Sequence, residues 1–234
     1  MNRRLCLVTA ADIEFRIAAG LLSNPITMID EDLQLTRSSN ITLLKTEIGA
    51  VGFPDKFNRH LATNRYDAVL IAGFGGALDP QCRKNEAVIY EHCISAIDGR
   101  SAVCDRVLSR RISAKVDAHR GVGLTTERVI VDASEKRELY KKFGAMVVDM
   151  ESYGVLDVCA RYELPAAVLR VISDEAADDL PDFNRILQPD GKIDGQKVFG
   201  TLIGRPRASW RFVQSMRPAG EALKAALRSV ISDL

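Results

Sequence analysis

The chain reads as an α/β protein, a three-layer α/β/α arrangement around a central mixed β-sheet, with a helical C-terminal extension. Three features of its 234 residues support this. Strand-like and helix-like segments alternate from Leu5 to Ala72. A strand–helix–strand unit runs from Val147 to Asp174. Between them, Ala87–Ile97 and Ser101–Val103 flank Asp98-Gly99, a two-residue hairpin signal that adds antiparallel pairing. Alternation with one hairpin predicts a single mixed sheet covered by helices on both faces.

The elements follow in order. Leu5–Ala10 is an apolar run of buried-strand type, and Asp12 is placed to cap a helix carrying Phe15, Ile17 and Leu21-Leu22. Ile41–Glu47 is a second strand ending at Gly49, and Asp55 to Ala62 the next helix. Ala68–Ala72 is a third strand running into a Gly73-Phe74-Gly75-Gly76 turn. A helix over Ser134–Phe143 precedes the strand Ala145–Val148. Ser152 to Tyr162 is helical, with Val155, Leu156, Val158 and Cys159 at mixed three- and four-residue intervals. Ala166–Ile172 is the strand after it. Such a unit predicts two neighbouring parallel strands, with Glu151 and Asp174 brought to one carboxyl edge. Open α/β sheets bind ligands at that edge. Beyond Asp174 the chain turns acidic over Ala176–Pro181, and Asp190-Gly191 marks another turn. Two or three helices then close it, with Pro206 and Pro218 in first turns. Residues 1–234 read as one domain, and 180–234 as a helical tail packed on it.

Composition narrows the function classes. A hydrophobic content of 47% and a charged content of 27% are ordinary for a soluble globular chain. A net charge of +1, with arginines interleaved among acids, gives no footprint for nucleic acid. No apolar run reaches the roughly 20 residues that span a bilayer. The opening Met1-Asn2-Arg3-Arg4 is basic, but Asp12 and Glu14 come too soon after it for a signal peptide. Five cysteines without a paired framework predict a reducing, cytoplasmic setting. Cys82, Cys93 and Cys104 recur every 11 residues, yet no Cys-x-x-Cys pair exists, so buried thiols on strands are expected and no metal site. The glycine segment fails the dinucleotide fingerprint, because Leu78 stands at the sixth position and Asp79-Pro80 prevents a helix from starting.

The motifs Val147-Val148-Asp149-Met150-Glu151-Ser152 and Leu169-Arg170-Val171-Ile172-Ser173-Asp174 resemble signatures of the nucleoside phosphorylase/nucleosidase superfamily. EFRIA at 14–18, GALDP at 76–80, ERVIVDASEK at 127–136, DGKID at 190–194 and Gly204-Arg205-Pro206 extend the resemblance toward its hopanoid-associated phosphorylases. It is thin from 23 to 45 and from 81 to 120. The resemblance implies a nucleoside phosphorylase-like fold and cleavage of an adenosine-type N-glycosidic bond. No metal or organic cofactor is implied, and phosphate is a candidate co-substrate.

Site roles come with the same resemblance. Asp174 protonates N7 of the departing purine, which requires the carboxyl to be held protonated by burial or by the bound base. Ser173 orients it and lies at the base. Glu151 accepts the vicinal ribose hydroxyls, as a carboxylate does well, and Met150 packs on the sugar. Glu14 orients or deprotonates a water. Gly73, Gly75 and Arg170 bind phosphate or water, with a structural salt bridge as an equal reading for Arg170. Ile130 offers backbone groups to the base, beside Val129, which stands where nucleosidases place a stacking phenylalanine. Val129 and Val131 are also expected on a core-facing strand. Phe74 occupies the place of the serine that binds phosphate in many family phosphorylases, and the hopanoid-associated branch shares that change. Glu14 favours water as nucleophile and the whole-chain resemblance favours phosphate, which ranks just ahead. A hydrolytic methylthioadenosine/S-adenosylhomocysteine-type nucleosidase and a catalytically inactive nucleoside-binding protein are the alternatives. The expected partners are a small nucleoside and a second copy of the chain in a dimer. A lipid-linked substrate would find an apolar channel lined by residues between 180 and 215.

Overall fold

The computed structural model describes residues 4–30, 33–46, 53–182, 184 and 206–232, with the backbone alone for 206–215. Its strands are β1 (Leu5–Thr9), β2 (Ile26–Asp30), β3 (Leu33–Ser38), β4 (Ile41–Lys45), β5 (Ala68–Ala77), β6 (Ala87–Ser95), β7 (Ser101–Val103), β8 (Ala118–Thr125), β9 (Val147–Asp149) and β10 (Ala166–Asp174). Its helices are α1 (Asp12–Ala19), α2 (Phe53–Thr63), α3 (Arg106–Ser113), α4 (Ala133–Phe143), α5 (Ser152–Arg161) and α6 (Pro206–Ile231).

One mixed sheet runs β10-β6-β8-β9-β5-β1-β4-β3-β2, and β10 also pairs with β5. That extra pairing closes β5, β10, β6, β8 and β9 into a ring. The central strands are apolar on both faces, as strands covered twice must be. Cys6 and Val8 of β1, with Val69 and Ile71 of β5, face Phe53, Phe57 and Leu61 of α2 and Val155, Leu156 and Cys159 of α5. Leu5, Leu7, Leu70 and Ala72 face the other way, toward Phe15 of α1, Leu108 and Ile112 of α3, and Leu223 and Leu227 of α6. Period-two alternation along these strands thus builds the two larger of three apolar clusters and the three expected layers.

Several expectations change. β9 and β10 are not neighbours: β9 pairs with β8 in parallel and with β5 antiparallel, while β10 lies parallel to β5. The two acids still converge, because β5 serves both strands at its carboxyl end. Gly76 is opposite Val148 on one side and Asp174 on the other. The glycine segment is therefore strand, not turn. A Cβ on Gly75 would fall 2.5 Å from Val147 Cγ1, so the close approach of β9 needs glycine there. Residues 126–132 carry no strand, unlike the expectation for Val129 and Val131.

At the hairpin, β6 ends at Ser95, whose N–H donates to the Arg100 carbonyl, so the loop is longer than two residues; Gly99 takes φ +72° within it. β2, β3, α3 and β8 were not expected. Pro206 opens α6, but Pro218 lies inside that helix rather than in a first turn. Packing of Ala219, Leu223, Leu227 and Val230 against the sheet offsets the roughly 3 kcal/mol an interior proline costs. Only Cys6 and Cys93 sit on strands. Burial pushes the Cys82 thiol up to about 11 and the Cys104 thiol to about 12. Glu47, Gly49 and the Asp190-Gly191 turn lie outside the described residues.

Candidate active site

The first acid is fixed where β1 gives way to α1. Ala11, not Asp12, is the N-cap residue, and it has no side-chain oxygen to offer. Glu14 meets the open helix end instead, its Oε2 accepting the N–H groups of Ala10 and Ala11, each at 2.9 Å. Its Oε1 accepts Phe74 N–H from β5 at 2.6 Å. Gly73 allows this, since a Cβ there would fall 2.5 Å from Oε1.

The second acid is held through a buried network centred on Asp149. Its Oδ1 accepts the N–H groups of Glu151 and Ser152 at the start of α5, and the Thr125 hydroxyl at 2.8 Å. Its Oδ2 takes the Tyr90 hydroxyl at 3.0 Å and Arg170 Nε at 3.2 Å. Arg170, 1% exposed, then reaches Glu151 Oε2 at 3.1 Å, Ser152 Oγ at 2.9 Å and the Phe74 carbonyl at 3.3 Å. Burial alone would raise the Asp149 carboxyl, but Arg170, Ser152 and Thr125 outweigh it and hold that carboxyl below the usual range. Burial likewise opposes the Arg170 charge, and Asp149 and Glu151 overcome it and hold the guanidinium above its ordinary value. The Tyr90 hydroxyl is pushed up by burial and by Asp149.

The third acid, Asp174, ends β10 and is 4% exposed. Ser173 Oγ lies 2.6 Å from its Oδ1 and 3.2 Å from the Gly75 carbonyl oxygen. Lys136 Nζ, from α4, lies 2.5 Å from Oδ2. The carboxyl is buried, as a protonated general acid would need, but it is also ion-paired, a partner the motif alone does not reveal.

These acids open on one cavity of about 320 Å³, in the size range of small-ligand sites. Glu14, Gly75, Val129, Ile130, Met150, Glu151, Ser173 and Asp174 line it, with Phe74 and Thr126 between them. Gly73 and Arg170 stand behind the wall; Arg170 is committed to the network, which is the salt-bridge reading of that residue. Ile13, Leu180 and Met216 give further apolar wall.

The strip 129–133, of which Val129 and Ile130 line the cavity, is held by side-chain and backbone bonds. The Asn184 amide bonds both the N–H and the carbonyl of Val129, each at 2.9 Å, and Leu180 N–H donates to the Val131 carbonyl at 2.8 Å. Asp149, Lys136, Tyr90 and Asn184 were missed as site residues. Asp149 stands inside the DMES motif and Lys136 ends ERVIVDASEK, but neither motif singled the residue out for the site. Among the described residues no cluster of three or more His, Cys, Asp or Glu could hold a metal ion.

Comparisons with known proteins give the family and the fold. The model for the phosphorylase superfamily matches residues 37–192. The 5′-methylthioadenosine/S-adenosylhomocysteine nucleosidases of Mycobacterium bovis and Mycobacterium tuberculosis are each 35% identical over 68 residues, 29% of this chain and 27% of theirs. The matched stretch thus spans about a quarter of those relatives.

Among solved structures, the Helicobacter pylori 5′-methylthioadenosine/S-adenosylhomocysteine nucleosidase has a TM-score of 0.78 at 16% identity, covering 100% of this chain and 99% of that one. Futalosine hydrolase of the same organism gives 0.79 at 15% identity with the same coverage. The Neisseria meningitidis nucleosidase in complex with methylthio-immucillin-A gives 0.79 at 14% identity, over 98% of this chain and 99% of that one. At such identities the likeness is one of fold.

Proposed function

The chain belongs to the phosphorylase superfamily, and from that premise we propose that it cleaves the N-glycosidic bond of an adenosine-type purine nucleoside with water as nucleophile. The observation that carries water over phosphate is the position of Arg170. A phosphate dianion between Glu14 and Glu151 would need a cation facing the cavity. Among the described residues the buried guanidinium there is already taken by Asp149, Glu151, Ser152 and the Phe74 carbonyl, and Arg128, which lines the cavity, is paired with Glu135. Glu14, in contrast, lines the cavity with a carboxylate whose backbone bonds fix its direction. Oε2 already accepts two bonds and Oε1 one, so Oε1 can accept another, and a water held there can be aligned and relieved of a proton. The curated relatives, named as nucleosidases, point the same way.

In this reading Glu151 accepts the ribose hydroxyls and Met150 packs on the sugar. The base lies along Val129 and Ile130; the backbone of Val129 is held by Asn184 and the carbonyl of Val131 by Leu180. Asp174, carrying a proton in the substrate complex, gives it to N7 as the C1′–N9 electron pair moves into the purine. Water from Glu14 then closes on C1′. No metal or organic cofactor takes part. Ile13 and Met216 supply an apolar wall for the 5′ substituent. The hopanoid-like resemblance would place a large hydrocarbon there. The channel expected between 180 and 215 lies mostly outside the described residues, and Leu180 is the part of it seen at the cavity.

The test is product analysis with adenosine and methylthioadenosine, with and without phosphate. Equal rates of adenine release and a free sugar are expected. A sugar 1-phosphate formed only with phosphate present would return the reading to phosphorolysis. Nucleoside binding without base release would favour an inactive binding protein.

A further inference from the structure

We propose that Lys136 is a positioning residue for Asp174, fixing its carboxyl toward the base and balancing the charge left there when the proton departs. This rests on the reading of Asp174 as the proton donor. Lys136 projects from α4 into the protein and is 0% exposed. Fully buried lysines occur almost only with partners, and here each of the three ammonium N–H groups has one. Nζ lies 2.5 Å from Asp174 Oδ2, 3.0 Å from the Glu175 carbonyl oxygen and 2.9 Å from that of Asp178.

One cation therefore holds the acid and the turn that follows it. The turn is fastened again where Asp178 Oδ2 accepts Glu175 N–H at 3.0 Å and pairs with Lys84 Nζ at 2.8 Å. With Ser173 on Oδ1 and Lys136 on Oδ2, both oxygens are tethered and the carboxyl cannot rotate away from the cavity.

The chemistry gives the cation a second use. When the Asp174 O–H bond breaks and N7–H forms, the carboxyl becomes a carboxylate in a buried site. An ammonium already in place stabilises that charge without reorganisation. Lys136 keeps all its own protons, so the step balances between Asp174 and the purine alone. A lysine that merely tied α4 to the turn would be indifferent to the leaving group.

The experiment compares wild type, Lys136→Gln and Lys136→Arg on adenosine and on 4-nitrophenyl β-D-ribofuranoside, whose nitrophenolate leaves without a proton. Lys136→Gln can still donate to the turn carbonyls but has no charge. It is expected to lower kcat for adenosine by about 10²-fold, with KM within about threefold of wild type. The nitrophenyl riboside should be nearly unaffected, and Lys136→Arg should recover part of the adenosine rate. Equal losses on both substrates, or a loss confined to KM, would overturn the proposal. If the glutamine variant does not fold, the arginine variant decides by the same two comparisons, and the kcat–KM split on adenosine decides where the nitrophenyl riboside is not turned over. Failure of the wild type to release any base would instead overturn the reading of Asp174, and the role of Lys136 with it.

Discussion

Asp174 and Glu151 are fixed by different partners, and replacing them should produce different defects. Asp174→Asn keeps the size of the side chain and removes the proton it gives, so base release should fall at least about 10²-fold while the fold persists. Near-normal turnover of adenosine would contradict this. Glu151→Gln should harm ribonucleosides more than 2′-deoxyribonucleosides, because the missing hydroxyl no longer needs its acceptor; equal losses would mean that Glu151 mainly anchors Arg170.

Asp149→Asn tests the network itself. It leaves Arg170 buried beside Glu151 alone, and breaking a buried pair costs on the order of 3–5 kcal/mol. The pH dependence has a definite sign. The folded carboxyl is held below its ordinary range, so its contribution is full above an unfolded value near about 3.9 and is lost as pH falls through the folded value. Urea titrations between neutral pH and about pH 3 should therefore show a steeper acid loss in wild type than in Asp149→Asn.

The three acids were legible in the sequence because each stands at a strand end within a short motif. Lys136 was not, since in Glu135-Lys136-Arg137-Glu138 it looks like one more charge on a solvated face. Arg170 was visible but ambiguous, and only its partners decide its place.

At the level of elements, β5 is the piece on which the site depends. A Cβ at Gly73 would meet both Glu14 Oε1, at 2.5 Å, and Arg170 Nη1, at 2.7 Å. Gly73→Ala should thus move the acid, and a displacement near 1 Å can cost about 10²-fold in rate. Unchanged turnover in that variant would remove Glu14 from the chemistry. Gly144 ends α4 with φ +63°, the left-handed cap conformation. Gly144→Ala should destabilise by about 1 kcal/mol, seen as a lower urea midpoint with unchanged slope, and no loss would show that the cap relaxes.

The glycines of β5 explain why a strand was read as a turn: Gly73, Gly75 and Gly76 break every local strand propensity. What favours the strand there is pairing with β10 and β9, which is set by distant residues. β3 was missed for another reason. Leu33-Gln34-Leu35-Thr36-Arg37-Ser38 alternates over only a few residues, and its buried leucines share a cluster with Leu44 of the neighbouring β4 and Phe53 of α2. α3 begins at Arg106 with basic residues through it, so its apolar stripe of Leu108 and Ile112 is narrow. β9 and β10 illustrate the limit of local rules, since the expected parallel neighbours are separated by β5.

For the whole molecule, closing part of the sheet into a ring brings the ends of β1, β5, β9 and β10 around one cavity. The acids from residues 14, 151 and 174 meet there although no two belong to adjacent strands of a simple open sheet. The architecture of helices on both faces was legible from composition and alternation, because those depend on which residues must leave water. The ring was not, because it depends on β5 pairing with both β10 and β9, which residues distant in sequence determine. A nucleoside that binds only the folded chain should raise its stability by about 2.7 kcal/mol at a hundredfold excess over Kd, measurable as a shift in Tm; no shift with adenosine or methylthioadenosine would remove the nucleoside site. The most direct test of the central claim is hydrolysis of adenosine in oxygen-18 water with phosphate also present, followed by mass analysis of the sugar. Water as nucleophile predicts ribose carrying one oxygen-18 newly bonded at C1′ and a rate independent of phosphate. Ribose 1-phosphate without the label at C1′ would contradict it.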